Sequence, residues 1–292
     1  MLGLHGHMCK KISIGLFGCF SLFSNAAVYA ATVPWVGTAD YTAAPGASGD
    51  EDTVVNFSSY DFSNGGVVLI KPNVVATNGQ YNVGDTFTGY YQTYVANHTL
   101  SGVTVASPNL NTTGSGSGYE LTLAAVFTEQ VVSVDALGNA TFAITGGNAN
   151  LYFDTNPDYS FVSDSGFTNG TSILNGSITG GSGSFISNAG IGVTAINLNI
   201  GNLGYDHNIY TPNTISGGDG IFTLQINPTG VTSTVSSVNG QTVALGDTLL
   251  QADGNLNLST VPIPTAIWLL SPAVIGILVL TRRKHNEMDA IV

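Results

Sequence analysis

Acidic turns are the recurring polar signal in this 292-residue chain: Asp50-Glu51-Asp52, Asp154 with Asp158, Gly218-Asp219-Gly220 and Asp253-Gly254-Asn255. Calcium takes about six to eight oxygens from carboxylates, amides and backbone carbonyls, and turns of this kind supply all three. Asp154, Asp158, Asp219 and Asp253 are therefore the candidate calcium ligands, although none completes an EF-hand loop or a nonapeptide β-roll repeat. Asp and Asn also occupy turns for a plainer reason, because they bond their own backbone. Glu120 and Glu129 are the glutamates available for a glycosidase pair, which needs two carboxylates roughly 5 to 9.5 Å apart. A hairpin edge kept soluble by charge would use the same residues.

Aromatic chemistry concentrates in Gly89-Tyr90-Tyr91-Gln92-Thr93-Tyr94. On a strand Tyr90 and Tyr94 face one way and Tyr91 the other, which makes Tyr90 and Tyr94 a candidate platform for the C–H faces of sugar rings. His98 and His207 are the histidines between residues 31 and 260, and they read as surface-loop residues. No G-x-S-x-G turn accompanies them to supply a nucleophile, so no catalytic residue is assigned.

These side chains must be positioned by strands. Apolar and polar residues alternate over 191–200, 220–226 and 141–144, a period of two that marks half-buried strands. Asn64-Gly65-Gly66, Asn78-Gly79, Gly138-Asn139, Gly146-Gly147 and Asn239-Gly240 lie between the runs and accept positive φ, as hairpin turns require. The clearest hairpin joins 121–134 to 140–144. No fixed-period repeat argues for a solenoid. The expectation is an all-β fold: one sandwich or jelly-roll-like ectodomain over residues 54–260, its last part strand or stalk, after a lead-in at 31–53.

Composition narrows the partners. Sixteen acids lie between residues 31 and 260 against a single cation, Lys71, with no arginine. Such a surface repels phosphate backbones, so nucleic acid is discarded as a partner, and phosphoryl transfer lacks its cationic clamps. Both cysteines, Cys9 and Cys19, precede residue 31, leaving the rest without disulfides or thiol chemistry. No cofactor is expected apart from calcium as a candidate.

The two ends read as addresses. Lys10-Lys11 precede an apolar run over 12–23, and Ala26-Ala27-Val28-Tyr29-Ala30 offers small residues to signal peptidase, giving a signal peptide over 1–30 cleaved after Ala30. Met8 makes a more natural start than Met1, and Leu16-Phe17-Gly18-Cys19 loosely resembles a lipoprotein signal. At the other end Val261-Pro262-Ile263-Pro264 leads into an uncharged stretch, and Arg282-Arg283-Lys284 follows. A helix over 263–280 spans roughly 27 Å, close to a hydrocarbon core. The cations place its far end in the cytoplasm, with 285–292 as a short tail.

Residues 261–284 resemble the C-terminal sorting signal of PEP-CTERM proteins. The resemblance rests on Val261, Pro262, Ile263, Pro264, the aromatic Trp268, the apolar helix, and Arg282, Arg283 and Lys284. Ile263 stands where the family has Glu, and the tail after Lys284 extends beyond the usual end. A weaker similarity, to flocculation-associated members of that family, lies in Phe153-Asp154-Thr155-Asn156-Pro157-Asp158 and the glycine-rich segment after it. The resemblance implies an exosortase-type transpeptidase as processing partner, an inner-membrane stage before processing, and final residence at the cell surface or in an extracellular polysaccharide matrix. The function expected is non-catalytic, in exopolysaccharide-associated aggregation, biofilm or floc formation. The alternatives are a secreted glycosidase-like enzyme and a permanently anchored ligand-binding ectodomain.

Overall fold

A computed structural model describes residues 33–73, 81–113, 118–201, 203–225 and 231–260. The expected signal peptide over 1–30, the expected sorting signal and membrane helix within 261–284, and the tail over 285–292 fall outside the described residues. Among the described residues no helix is long and apolar enough to cross a membrane.

The fold is all-β. Its strands in chain order are β1 (Val33–Pro34), β2 (Gly37–Asp40), β3 (Thr53–Phe57), β4 (Ser59–Phe62), β5 (Gly66–Pro72), β6 (Thr86–Leu100), β7 (Val103–Val105), β8 (Glu120–Val134) and β9 (Ala140–Asp154). They continue with β10 (Thr171–Ile186), β11 (Ile191–Asn199), β12 (Tyr210–Thr211), β13 (Ile215–Gln225), β14 (Ser237–Val238), β15 (Gln241–Thr242) and β16 (Thr248–Thr260). Of the alternating runs, 141–144 falls in β9, 191–199 in β11 and 220–225 in β13. The anticipated hairpin is β8–β9, paired from Glu120↔Asp154 to Val134↔Ala140.

The sheet does not divide into two layers as a sandwich would. Neighbours run β16, β13, β11, β10, β9, β8, β6, and then β4 and β5, both of which return to β16. β4 and β5 act as one interrupted stave, because each pairs with β6 and each pairs with β16. The result is an eight-stave, barrel-like antiparallel sheet in up-and-down order. The expected sandwich or jelly roll is corrected on this point. Period-two alternation is the same in either architecture, and the deciding contact, Leu250↔Val68, joins distant parts of the chain.

Eight staves leave an interior just wide enough for side chains to fill. Leu121, Leu123, Ala125 and Phe127 of β8 meet Phe222 of β13 and Leu250, Ala252 and Leu256 of β16 in one buried core. Glycines make room for the aromatic rings: a Cβ on Gly89 would collide with the Phe127 ring. The central void lined by Phe62, Ala125, Ala149 and Phe222 amounts to only about 20 Å³. It is apolar and barely the size of one water, too small to hold a ligand.

The outward face is mixed: polar side chains share it with exposed Val132, Ile191, Val193 and Ile221. Ser177, Thr179, Ser182 and Ser184 of β10, Asn197 and Asn199 of β11, and Asp253 of β16 point outward and lie at the surface.

Residues 33–53 belong to the folded body. β2 pairs with β3 and β12 in a small sheet, and Trp35, Ala39 and Tyr41 are fully buried. There Tyr41, Phe57, Tyr60, His98, Tyr119 and Tyr210 form an aromatic cluster at one pole of the barrel. The described body begins and ends at the same place, because Val33 pairs with Thr260.

Candidate functional site

With the lumen filled, the chemistry open to a partner lies on the outer wall. Strand parity places Tyr90, Gln92 and Tyr94 on the outward face of β6 and buries Tyr91 inside, as its alternation requires. Two segments lie over this wall: the connection between β9 and β10, and residues 231–243 with the β14–β15 hairpin. Val235 and Val238 pack on Val67 and Leu69, and Tyr90 packs against that cluster. Tyr94 stacks on Tyr159 with ring centroids 4.1 Å apart, while Phe161 and Phe167 lie 4.9 Å from each other. Tyr90 and Tyr94 therefore share a face as expected, but each already has protein partners, and they do not form a bare two-ring platform. Burial and the neighbouring Tyr94 raise the Tyr159 hydroxyl above the usual phenol range.

Between the tyrosines, Gln92 is fully buried. Its Oε1 accepts from the Asn239 backbone N–H at 2.7 Å. Asp164 reaches the same turn, its carboxylate accepting from Asn239 N at 3.0 Å and Gly240 N at 2.9 Å. Asn239 and Gly240 have φ of 50° and 75°, the left-handed pair of a tight hairpin turn, which turns both N–H groups towards Asp164. Thr122 Oγ1 donates to the Phe167 carbonyl at 2.9 Å and ties the loop to β8. These residues enclose a recess of about 260 Å³, with Gln92 in its lining and Asp164, Ser165, Phe167 and Thr168 around it.

The acidic candidates behave differently from one another. Asp154 Oδ1 accepts from Asn156 N at 2.8 Å, and Asp158 takes the Asn156 and Asn169 side-chain amides at 2.8 and 3.1 Å. These bonds close the turn. Asp219 and Asp253 lie on β13 and β16, where Asp219 faces Asn257 and Asp253 faces Thr223. Four register steps separate them, about 13 Å at the usual strand rise, so they are not brought together. Among the described residues, no three of His, Cys, Asp and Glu assemble as a group able to hold a metal ion.

Glu120 and Glu129 are both buried on β8, which corrects the picture of solubilising edge charges. Nine residues of strand, about 30 Å, separate them, too far for a glycosidase pair. Burial raises the Glu129 carboxyl to about 7. Burial, followed by the charges of Asp158 and Asp154, raises Glu120 to about 8, against a weak bond from Tyr159 N at 3.4 Å. Glu120 has no exposed surface through which a substrate could reach it.

The histidine expectation holds for one residue of two. His207 is exposed and stacks on Tyr205. His98 is fully buried, because β6 extends to Leu100 and carries it into the polar aromatic cluster. Its Nε2 lies 2.7 Å from the Tyr41 hydroxyl, and Tyr60 bonds Tyr210 at 2.7 Å. Burial lowers the His98 pKa to about 3, so the ring is neutral.

Comparison with known proteins adds no relative: no family model, curated protein or solved structure matches this chain. Gln92, Asp164, Asn239 and Gly240 are not among the candidate residues that the sequence offers. The one local signal is the Asn239-Gly240 turn, which marks a hairpin but not what it covers.

Proposed function

We propose that this chain is a non-catalytic exported surface or matrix protein that works in exopolysaccharide-associated aggregation, biofilm or floc formation. In this reading, residues 1–30 direct export, and residues 261–284 act as a PEP-CTERM-like sorting signal. The helix over 263–280 holds the chain in the inner membrane until an exosortase-type transpeptidase acts. The partner is an extracellular polysaccharide, met on the outer wall.

The observation that carries this reading is a barrel-like sheet packed inside by its own side chains, with Ser177, Thr179, Ser182, Asn197 and Asn199 exposed on its outer wall. With that interior packed, this reading assigns recognition to the exterior, where hydroxyl and amide groups suit neutral polysaccharide chains. The pairing of Val33 with Thr260 supports the topology, because both processed ends leave one pole and a tether there would present the opposite pole outward. Calcium is kept as an accessory candidate at Asp154 and Asp158, and a titration that leaves the melting temperature unchanged would retire it.

The test is deletion of the chain from Val261 onward, followed by protein localisation and cell aggregation. Loss of envelope retention together with loss of aggregation supports the proposal. Unchanged location and unchanged aggregation would sink it.

A further inference from the structure

We infer that the outer face of β8–β11 and β13 is a contact surface for a second copy of this chain, closing a weak twofold pair. This goes beyond the matrix reading above and does not depend on it.

Strand parity builds the apolar part. Val132 of β8, Ile186 of β10, Ile191 and Val193 of β11, and Ile221 of β13 point outward and are 38 to 55% exposed. They are neighbours rather than scattered. Ile186 pairs directly with Ile191, Val193 is the next outward residue of β11, and Ile221 stands opposite Ala195, the outward residue after that. Single exposed apolar side chains are ordinary on a protein surface, whereas a contiguous group marks a place of contact.

The backbone shapes this face. The β8–β9 register slips between Val131 and Ser133, which makes Val132 the extra residue of a bulge. Alongside it, the β9–β10 ladder is interrupted between Gly147↔Ile178 and Ile144↔Gly181. Gly147 and Gly181 have φ of 145° and 151°, and a Cβ on Gly181 would collide with the Ala195 carbonyl, so these positions need glycine. Bulges bend the strands that carry them, and here a trough of about 510 Å³ lies between Val132 and Val193, over Ala143, Ser182 and Ser184. Three strand spacings, ~14 Å, separate β8 from β11. Beside the trough, Val193 and Ile221 form a ridge on two adjacent strands. A trough and a ridge side by side suit a twofold contact, in which each copy's ridge enters the other's trough.

Charge selects the occupant. No charged side chain lines the trough, and the outward carboxylates stand at the borders of the face: Asp219 on β13, Asp253 on β16 and Asp135 in the β8–β9 turn. With sixteen acids against one lysine between residues 31 and 260, two copies repel in most orientations. Meeting here leaves the border carboxylates at a wet rim. Ser and Thr hydroxyls both donate and accept, so Thr141, Ser182 and Ser184 match their own counterparts. The one aromatic ring in the lining, Phe142, is buried, so a sugar finds no ring face to stack on. The face covers four strand spacings by about five residues, ~19 by ~17 Å, well under the ~800 Å² per partner of a standard interface, and the pair is accordingly weak.

The experiment is analytical ultracentrifugation of the full chain in density-matched detergent, from about 5 to 500 μM protein, at about 0.05 and 0.5 M NaCl. The expected result is a reversible monomer–dimer equilibrium with a Kd inside that range, tightened at least about threefold by the higher salt, which screens the repulsion between acidic copies. Val193→Asp sets a carboxylate in the ridge of each copy and should weaken the dimer at least about tenfold. Asn199→Asp adds the same charge on the same strand ~20 Å away and should stay within about twofold. Both positions are exposed, melting curves report whether the variants fold, and the wild-type series stands without them. A monomer at every concentration would overturn the inference. So would association that Val193→Asp leaves unchanged, which would place the contact elsewhere on the chain. Amide NMR on dilute protein supplies the last arm: saturable shifts at Val193 and Ala195 on adding dextran would give the face to a glycan instead of a second copy.

Discussion

Glu129→Gln should stabilise the protein at neutral and mildly alkaline pH, by an amount that grows with pH. Glu129 lies on β8 with the parity of Phe127 and Val131, opposite Phe87 and Ile144, and so faces the barrel interior. Burial raises its folded pKa to about 7. In the unfolded chain the carboxyl titrates near its ordinary value. A group raised in this way contributes fully below the unfolded pKa, and that contribution is lost as pH rises through the folded pKa. With a folded pKa near 7 and an unfolded one of 4.5, linkage makes the loss under ~1 kcal/mol at pH 5 and about 3 kcal/mol at pH 8. Glutamine has nearly the same shape and does not ionise. Urea denaturation of wild type and variant at pH 5, 6, 7 and 8 should therefore give a stability gap that widens by about 2 kcal/mol across the series. Any difference in hydrogen bonding between glutamine and the protonated acid adds a constant offset, so the slope is the diagnostic quantity. A gap that stays flat with pH, at any offset, would refute the placement of Glu129 as an interior, unpaired carboxyl.

Two further outcomes test other parts of the fold. His98 is held neutral with a pKa of about 3 against an ordinary 6.5; its contribution is intact above pH 6.5 and is lost as pH falls towards 3. At pH 4 the loss is about 3 kcal/mol, and a His98 NMR titration showing protonation near pH 6 in the folded protein would contradict it. Gly89→Ala would drive a methyl into the Phe127 ring, which lies directly over the glycine. Overpacking of this kind costs about 1 to 3 kcal/mol, so calorimetry should show a lowered melting temperature, and an unchanged one would mean the interior is loosely filled.

How much of this is legible in the sequence depends on how local each feature is. The alternation that marks β9, β11 and β13 is written in consecutive residues. So is the parity that separates Tyr91 from Tyr90 and Tyr94, and so is the Asn239-Gly240 turn, whose φ values are those a hairpin demands. Barrel closure is not local. It depends on β16 finding β4 and β5 across most of the chain, and no pattern within either segment announces that contact. His98 illustrates the same limit. Flanked by Asn97 and Thr99 it reads as a loop residue, yet β6 continues to Leu100 and Tyr41 arrives from a segment that reads as a lead-in. The Gln92 recess draws on three separate stretches of chain, so only the folded wall brings Gln92, Asp164 and Asn239 together.

Under the proposed matrix function, closure also bears on how the protein would aggregate cells without aggregating itself. An exposed sheet edge is a template for pairing with another chain, and proteins of high strand content must blunt or cover their edges. Here each long strand of the barrel is paired on both sides, so no open edge of length remains in the closed sheet among the described residues. β1, at two residues, is the short strand at the seam. The chain from 31 to 260 has no cysteine and a single lysine, so neither disulfides nor lysine-guarded edges manage this liability. The paired staves do it. Cohesion between copies or with a matrix must then act through side chains on the wall and loops rather than through added strands. If the proposed matrix function holds, substitutions at exposed wall positions such as Thr179 and Asn197 should alter adhesion while leaving the sheet intact, whereas substitutions of interior residues such as Gly89 should alter stability first.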